Sequence, residues 1–351
     1  MKKKIKILYL YSELMGYNIP VLHYLEKNYE VELNVVSWKK KISKYQIEKS
    51  NKINYYFKED FENDELFRFV LNVAPNVIVT SGWMDKDYLK ICKYNKKKGV
   101  KIVGAMDTQW ENTFRQKLAT LISPFYHKKY FDFLWVSGNY QFEYAKRLGF
   151  NNNQIIFNCY SANTEFFEMN TFNYQENKTL VFIGRFDEVK GVRHLIAAFN
   201  EYIQESQSSL KIKLIGGGVN YEAYKRKQTE SIIIKEFIQP NELLNELNLV
   251  QGFVLPSIYE PWGVVIHEMA AAGLPLLVSD VCGANSAFAL NNFNAFVFKS
   301  NSVKDLKNVL RKFDNLSKEE ILLMSERSRI LAKKISPEIS AASLMSLLED
   351  N

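Results

Sequence analysis

Two glutamates eight positions apart, Glu260 and Glu268, stand in the segment LPSIYEPWGVVIHEMAAAGLP, residues 255–275. An apolar run enters a loop there, and Pro261 sits near the start of a helical pattern, where its missing N–H costs nothing. Glu260 precedes the helix and lies beside the free N–H groups of Trp262, Gly263 and Val264, which favour anionic oxygens. Glu268 lies two turns inside the helix, four residues after Val264 and on the same face. Its neighbours are apolar, and an unpaired carboxylate is costly in such surroundings. It needs donors, and paired hydroxyls of a sugar would serve.

Two further loops carry chemistry. Gly184-Arg185-Phe186-Asp187-Glu188-Val189-Lys190-Gly191 closes one strand pattern and opens a helix. Arginine offers a planar fork and lysine a mobile point charge, a pair suited to a diphosphate. The helix start adds N–H groups and a positive dipole end. The same residues also read as a surface loop salt-bridged through Asp187 and Glu188. In Gly216-Gly217-Gly218, bare backbone closes another strand; it admits a nucleotide phosphate or ribose at close range, or simply a tight turn.

In the first half, Asp107 and Gln109 follow the strand Lys101–Ala105, at a place where a ligand cleft is expected; an Asx turn or helix cap by Asp107 is the alternative. The loop Ser12–Gly16 follows the first strand and contributes Gly16. Asp85-Lys86-Asp87 imitates an Asp-x-Asp metal motif but reads better as a helix start. His23, His127, His194 and His267 show no zinc spacing, and no metal ligands are assigned.

These residues all follow short apolar runs, which alternate with helical patterns along the chain. Strands are expected at Ile5–Tyr11, Val31–Val36, Val77–Thr80, Lys101–Ala105 and Phe133–Val136. The second half repeats the pattern at Thr179–Ile183, Lys211–Ile215, Ile232–Lys235, Gly252–Leu255, Pro275–Val278 and Ala295–Phe298. Such alternation predicts an α/β chain with parallel sheets covered on both faces. At 351 residues two domains fit. The expected architecture is two Rossmann-like doubly wound domains facing a cleft, with ligands at the carboxyl ends of the strands. The expected divisions are 1–160, a polar linker at 161–178, a second domain at 179–335, and a terminal helix at 336–351 that packs back on the first domain.

Across Val181–Val278 the Gly-Arg…Lys-Gly loop, the glycine-rich strand end, Pro256-Ser257, and the two glutamates followed by small residues and Gly273-Leu274-Pro275 occur in order. In this the chain resembles the GT-B glycosyltransferases of family 4. The resemblance is firm over the second domain and architectural over the first. It implies a nucleotide-sugar donor, expected to be a UDP-sugar, transfer with retention, and no metal or other cofactor. Arg185 and Lys190 would hold the diphosphate beside Gly184, Gly216 and Gly217. Glu268 would bind the ribose, and Glu260 with the backbone of Trp262, Gly263 and Val264 the sugar and phosphate. Phe237 and Ile238 would line the base. Glu260, Arg185, Lys190 and Asp107 form the expected catalytic set, with Gly16 reaching the donor from the first domain. Two departures stand out: the first loop has only Gly16, and Ser286 stands where the family commonly has glutamate. A phosphorylase or an epimerase of the same fold is the alternative enzyme.

Charge is uneven. Residues 1–160 carry 26 Lys+Arg against 16 Asp+Glu, and residues 161–351 carry 20 against 23. The basic half contains Lys39–Lys41, Lys96–Lys98 and the segment FRQKLATLISPFYHKKY, residues 114–130, in which cations and aromatics interleave. That mixture suits an anionic membrane surface as well as a half-buried helix. The chain carries no nucleic-acid recognition motif, so nucleic acid is not an expected partner. A glycan or lipid-linked glycan acceptor is expected, with the protein in the cytoplasm, peripheral at the inner face of the membrane. Cys92, Cys159 and Cys282 are scattered and odd in number, so no disulfide framework is expected.

Overall fold

The computed structural model describes residues 4–39 and 49–348. Lys40 and Lys41 of the first lysine cluster lie outside them. The chain divides into two compact units, one of residues 1–161 and 337–351, the other of residues 162–336.

In the first unit the strands are β1 (Ile5–Tyr11), β2 (Val31–Ser37), β3 (Asn54–Phe57), β4 (Val77–Thr80), β5 (Lys101–Met106), β6 (Phe133–Val136) and β7 (Ile155–Ile156). Among the described residues they form one parallel sheet in the order β3-β2-β1-β4-β5-β6-β7. Side chains alternate across it. Ile7, Tyr9 and Tyr11 enter one core, and Leu8 and Leu10 enter the other, as the two-residue period of a strand requires. Helices α1 (Asn18–Asn28), α2 (Glu65–Val73), α3 (Lys86–Lys96), α4 (Phe114–Tyr126) and α5 (Asn139–Arg147) connect the strands.

The second unit opens with α6 (Thr164–Glu168), and then β8 (Thr179–Ile183), α7 (Val192–Ser206), β9 (Lys211–Ile215), α8 (Tyr221–Lys225) and β10 (Ile232–Lys235) follow. Next come α9 (Pro240–Leu247), β11 (Gly252–Leu255), α10 (Val264–Ala271), β12 (Leu276–Ser279), α11 (Asn285–Phe288), β13 (Ala295–Phe298), α12 (Val303–Asp314) and α13 (Lys318–Ala332). The strand order, again parallel, is β10-β9-β8-β11-β12-β13. Gly252 is a packing requirement: a Cβ there would meet Leu180 and the Phe313 ring of α12 at 2.8 Å.

The segment read as a polar linker begins at the edge of the second unit. Residues 162–173 are built into the second unit by hydrogen bonds. The Ala162 amide donates to His267 Nδ1 (3.1 Å), Asn170 Nδ2 to the Ala272 carbonyl (2.8 Å), and Arg329 to the Asn170 carbonyl (2.7 Å). Polar attachment leaves no apolar period, so the sequence reads as a linker. The last helix, α14 (Pro337–Met345), belongs to the first unit. Its Ala341, Leu344 and Met345 share a core with Leu22 and Leu25 of α1, and Ser340 Oγ donates to the Asn158 carbonyl (2.6 Å).

Candidate active site

In both sheets the strand order turns back beside the first strand, between β1 and β4 and between β8 and β11. The carboxyl ends of strands at such a turning point are where open α/β sheets take ligands. In the second unit the loops after β8 and β11 meet there. Gly191 sits at φ +66°, and a Cβ on it would lie 2.0 Å from the Pro256 carbonyl oxygen. The Val189 carbonyl accepts from the Ile258 amide at 2.7 Å. Across this seam Lys190 Nζ donates to a Glu260 carboxylate oxygen, which also accepts from Ser257 Oγ at 3.2 Å. Both side chains of the ion pair are largely buried.

The seam extends on both sides. The Phe186 amide donates to the Gly217 carbonyl (2.7 Å), and a Cβ on Gly216 would strike the Gly184 carbonyl oxygen at 1.8 Å. The two glycines thus exist first to let adjacent strand ends touch. Gly217 differs: a Cβ there meets nothing within 4 Å. Toward β12, the Gly283 and Ala284 amides donate to the carbonyls of Glu260 and Trp262, at 3.2 and 2.9 Å. Four consecutive loops are therefore joined through their backbones.

Two helices begin on this ledge with glycine at the cap, Gly191 before α7 and Gly263 (φ +91°) before α10. The Trp262, Gly263 and Val264 amides make no hydrogen bond among the described residues, so they stay available for an anion. The Trp262 side chain is buried, and it contributes to the surface through its backbone. Glu268 lies on α10, half-buried, and no group among the described residues bonds its carboxylate. Burial pushes its carboxyl up to about 7. Adjacent His267 is structural. The Ala162 N–H fixes Nδ1 as acceptor, so Nε2 carries the proton and donates to the Ala332 carbonyl (2.9 Å). Burial pushes this imidazole down to about 4.

The other predicted residues take varied positions. Arg185 is mostly exposed and pairs with Asp187 at 3.1 Å, while Lys190 turns inward. Phe237 is exposed and Ile238 half-buried, between β10 and α9. Ser286 Oγ is turned back to the Gly283 carbonyl (3.0 Å). Asp85 caps α3, accepting from the Asp87 and Tyr88 amides, and pairs with Lys58 at 2.6 Å.

In the first unit Asp107 follows β5 at its carboxyl end, and its carbonyl accepts from Gln141 Nε2 (2.9 Å). The next helix, α4, is capped by Thr113. Gly16 lies in the turn before α1. What sequence reasoning missed is the company of Asp107. Tyr11, Tyr17, Tyr160 and Cys159 all feel its charge, and burial raises all four above their ordinary pKa ranges. The Tyr17 and Tyr160 rings lie 4.7 Å apart.

Residues 163–329 match the family described as glycosyl transferases group 1. This segment belongs to the glycosyl transferases group 1 family. An uncharacterized glycosyltransferase of Methanocaldococcus jannaschii is 30% identical over 111 residues, 31% of this chain and 28% of that protein. The Escherichia coli UDP-Gal:alpha-D-GlcNAc-diphosphoundecaprenol alpha-1,3-galactosyltransferase is 34% identical over 70 residues, 20% of this chain and 18% of that one. The matches thus span less than a third of each of these two relatives. Solved structures share the fold over the whole chain. A glycosyltransferase from Rickettsia africae superposes with a TM-score of 0.77 at 12% identity, covering 100% of both chains. Anabaena HepE in complex with UDP and glucose gives 0.72 at 10%, covering 99% of this chain and 100% of that one. In group 1 terms, the matched segment contains the whole ledge from Gly184 to Ser286, and Asp107 and Gly16 lie outside it.

Proposed function

We propose that this protein transfers a sugar from a nucleoside diphosphate sugar to a glycan acceptor, with retention of anomeric configuration and without a metal ion. The observation that carries the reading is the buried Lys190–Glu260 pair at the β8–β11 turning point, together with the partnerless carboxylate of Glu268 on α10. In this reading Lys190 and Arg185 neutralise the leaving diphosphate, aided by the amides at the start of α10. Gly184, Gly216 and Gly217 leave room for it. Glu268 accepts from the ribose hydroxyls. Glu260 fixes Lys190 and, with the Trp262–Val264 backbone, faces the sugar. Phe237 and Ile238 flank the base. Asp107 and Gly16 act from the first unit, Asp107 near the transferred sugar or the acceptor. The leaving phosphate takes the acceptor's proton on the face from which it departs.

A uracil nucleotide is the proposed donor base and a lipid-linked glycan the proposed acceptor. The support is the Escherichia coli relative, whose name states both a UDP donor and a diphosphoundecaprenol acceptor, and the UDP bound to HepE. The reaction would then run at the inner face of a membrane. No helix among the described residues is long and apolar enough to cross one.

The test is thermal unfolding with UDP, GDP, ADP or CMP, with and without Mg²⁺, on the wild type and on Glu268→Ala. A ligand that binds the folded state alone raises its apparent stability. The expected result is a metal-independent shift with UDP that shrinks in the variant. A shift that requires Mg²⁺, or none with any nucleotide, overturns the reading.

A further inference from the structure

Helix α4 is folded inside out. Its inward side is polar. Gln116 Nε2 donates to the Gln109 carbonyl and its Oε1 accepts from the Glu111 amide, both at 2.7 Å. Ser123 Oγ donates to the Leu148 carbonyl at 2.7 Å and lies 2.8 Å from His127 Nδ1. Its outward side is apolar. Phe114, Leu121 and Phe125 are 80%, 76% and 84% exposed, and Leu118 and Ile122 are exposed beside them.

At about 100° per residue, Phe114, Leu118, Leu121 and Phe125 fall in a stripe about 60° wide, opposite Gln116 and Ser123. Arg115 and Lys117 flank the stripe on its two sides. Lys129 follows the helix, and Lys129 and Lys97 both stand close enough to Lys93 that their charges oppose its own. None of these five cations has a carboxylate partner among the described residues.

A hydrogen-bonded inner face and an apolar outer face mean that the stripe is no part of this unit's core. A contiguous exposed stripe of this kind marks an interaction surface. A second copy is a poor occupant. An isologous dimer through α4 would bring its cations against their own copies, with no acidic rim to answer them. An anionic lipid surface answers both features, with acyl chains for the stripe and headgroup phosphates for the cations. We propose that α4 docks the protein on an anionic bilayer, the four stripe residues entering the acyl boundary and Arg115, Lys117, Lys129, Lys93 and Lys97 lying among the headgroups. The inference stands on α4 and the lysines beside it and is independent of the proposed transfer reaction.

Co-sedimentation of the full chain with phosphatidylglycerol-containing vesicles, pure phosphatidylcholine vesicles or buffer tests it. Binding is expected to the anionic vesicles only and to weaken with salt. The triple variant Phe114→Ser/Leu121→Ser/Phe125→Ser should lose at least tenfold in affinity. The variant Lys93→Glu/Lys117→Glu/Lys129→Glu should lose about fivefold or more per site. Five of the six side chains are exposed and Lys93 is half-buried at the edge of α3, so far-UV circular dichroism and thermal unfolding should match the wild type. Three results would overturn the proposal: equal binding to neutral vesicles, anionic binding that survives the apolar triple variant, or a solution dimer that this variant makes monomeric.

Discussion

The two sheets turn at the same topological place, and the two turning points are built differently. At β8–β11 the loops are joined backbone to backbone, through Gly216 against Gly184, Gly191 against Pro256 and Val189 bonded to Ile258. A buried ion pair crosses the seam. At β1–β4 the joint is lighter. The Ser12 amide donates to Ser81 Oγ at 2.9 Å, and the groups gathered there are side chains: Tyr17, Tyr160 and the Asp107 carboxylate over the buried Tyr11. A backbone surface has one shape and demands particular residue types. A side-chain surface keeps its fold while its residues change. In the proposed reaction the first suits the invariant nucleoside diphosphate, and the second suits an acceptor.

That contrast is broken most directly at the ion pair. Lys190→Ala leaves the Glu260 carboxylate buried without its partner, which should cost about 3–5 kcal/mol of stability. Transfer should fall by about a hundredfold or more, since a preorganised cation at the leaving group is removed. The double variant Lys190→Met/Glu260→Gln should recover most of the stability in thermal unfolding while transfer stays lost. Recovery of transfer by the double variant would make the pair merely structural.

The glycines sharpen it next. Gly216→Ala forces a Cβ toward the Gly184 carbonyl and should destabilise the second unit by about 3 kcal/mol. Gly217→Ala meets nothing in the protein, so it should leave thermal unfolding within about 0.5 kcal/mol of wild type and weaken nucleotide binding instead. If the two substitutions behave alike, the ledge is not divided into a packed half and an open half. In the first unit, Asp107→Asn should lower transfer by about ten- to a hundredfold, with UDP affinity, read by calorimetry, within twofold.

The same contrast explains what was legible in the sequence. Residues 184–191, 216–218 and 255–275 carry signals because close backbone approach admits only glycine and because a carboxylate among apolar residues is conspicuous. Strand and helix alternation is visible wherever burial is two-sided, and β1, β4 and β8 through β11 follow it. The edge strands β3 and β7 escape notice, since one is partly exposed and the other is two residues long. The Lys190–Glu260 pair is invisible because its partners are seventy positions apart and either reads as a ligand contact. The tyrosine group around Asp107 has no spacing to betray it, being gathered from β1, the turn before α1 and the segment after β7. Residues 162–173 read as linker because their attachment is polar. Helix α4 reads equally as a membrane-facing segment or a half-buried amphipathic helix, and its observed orientation turns the apolar face outward.

The smallest expected effect is at Glu268, and its sign follows from burial. Its carboxyl is raised from 4.5 to about 7, so the folded protein holds a proton that the unfolded chain releases. At pH below 4.5 both states are protonated and the group contributes nothing. Between 4.5 and 7 the folded state becomes progressively disfavoured, and above 7 the penalty is constant. Glu268→Gln should therefore unfold like wild type near pH 4.5 and be more stable than it at pH 8. Ribose hydroxyls donating to the ionised carboxylate would draw its pKa down on binding. UDP affinity, taken relative to Glu268→Gln so that the nucleotide's own titration cancels, should then rise about fivefold between pH 6 and 8. A flat ratio across that range would remove Glu268 from the nucleotide contact and leave the ion pair and the glycine ledge to hold the donor alone.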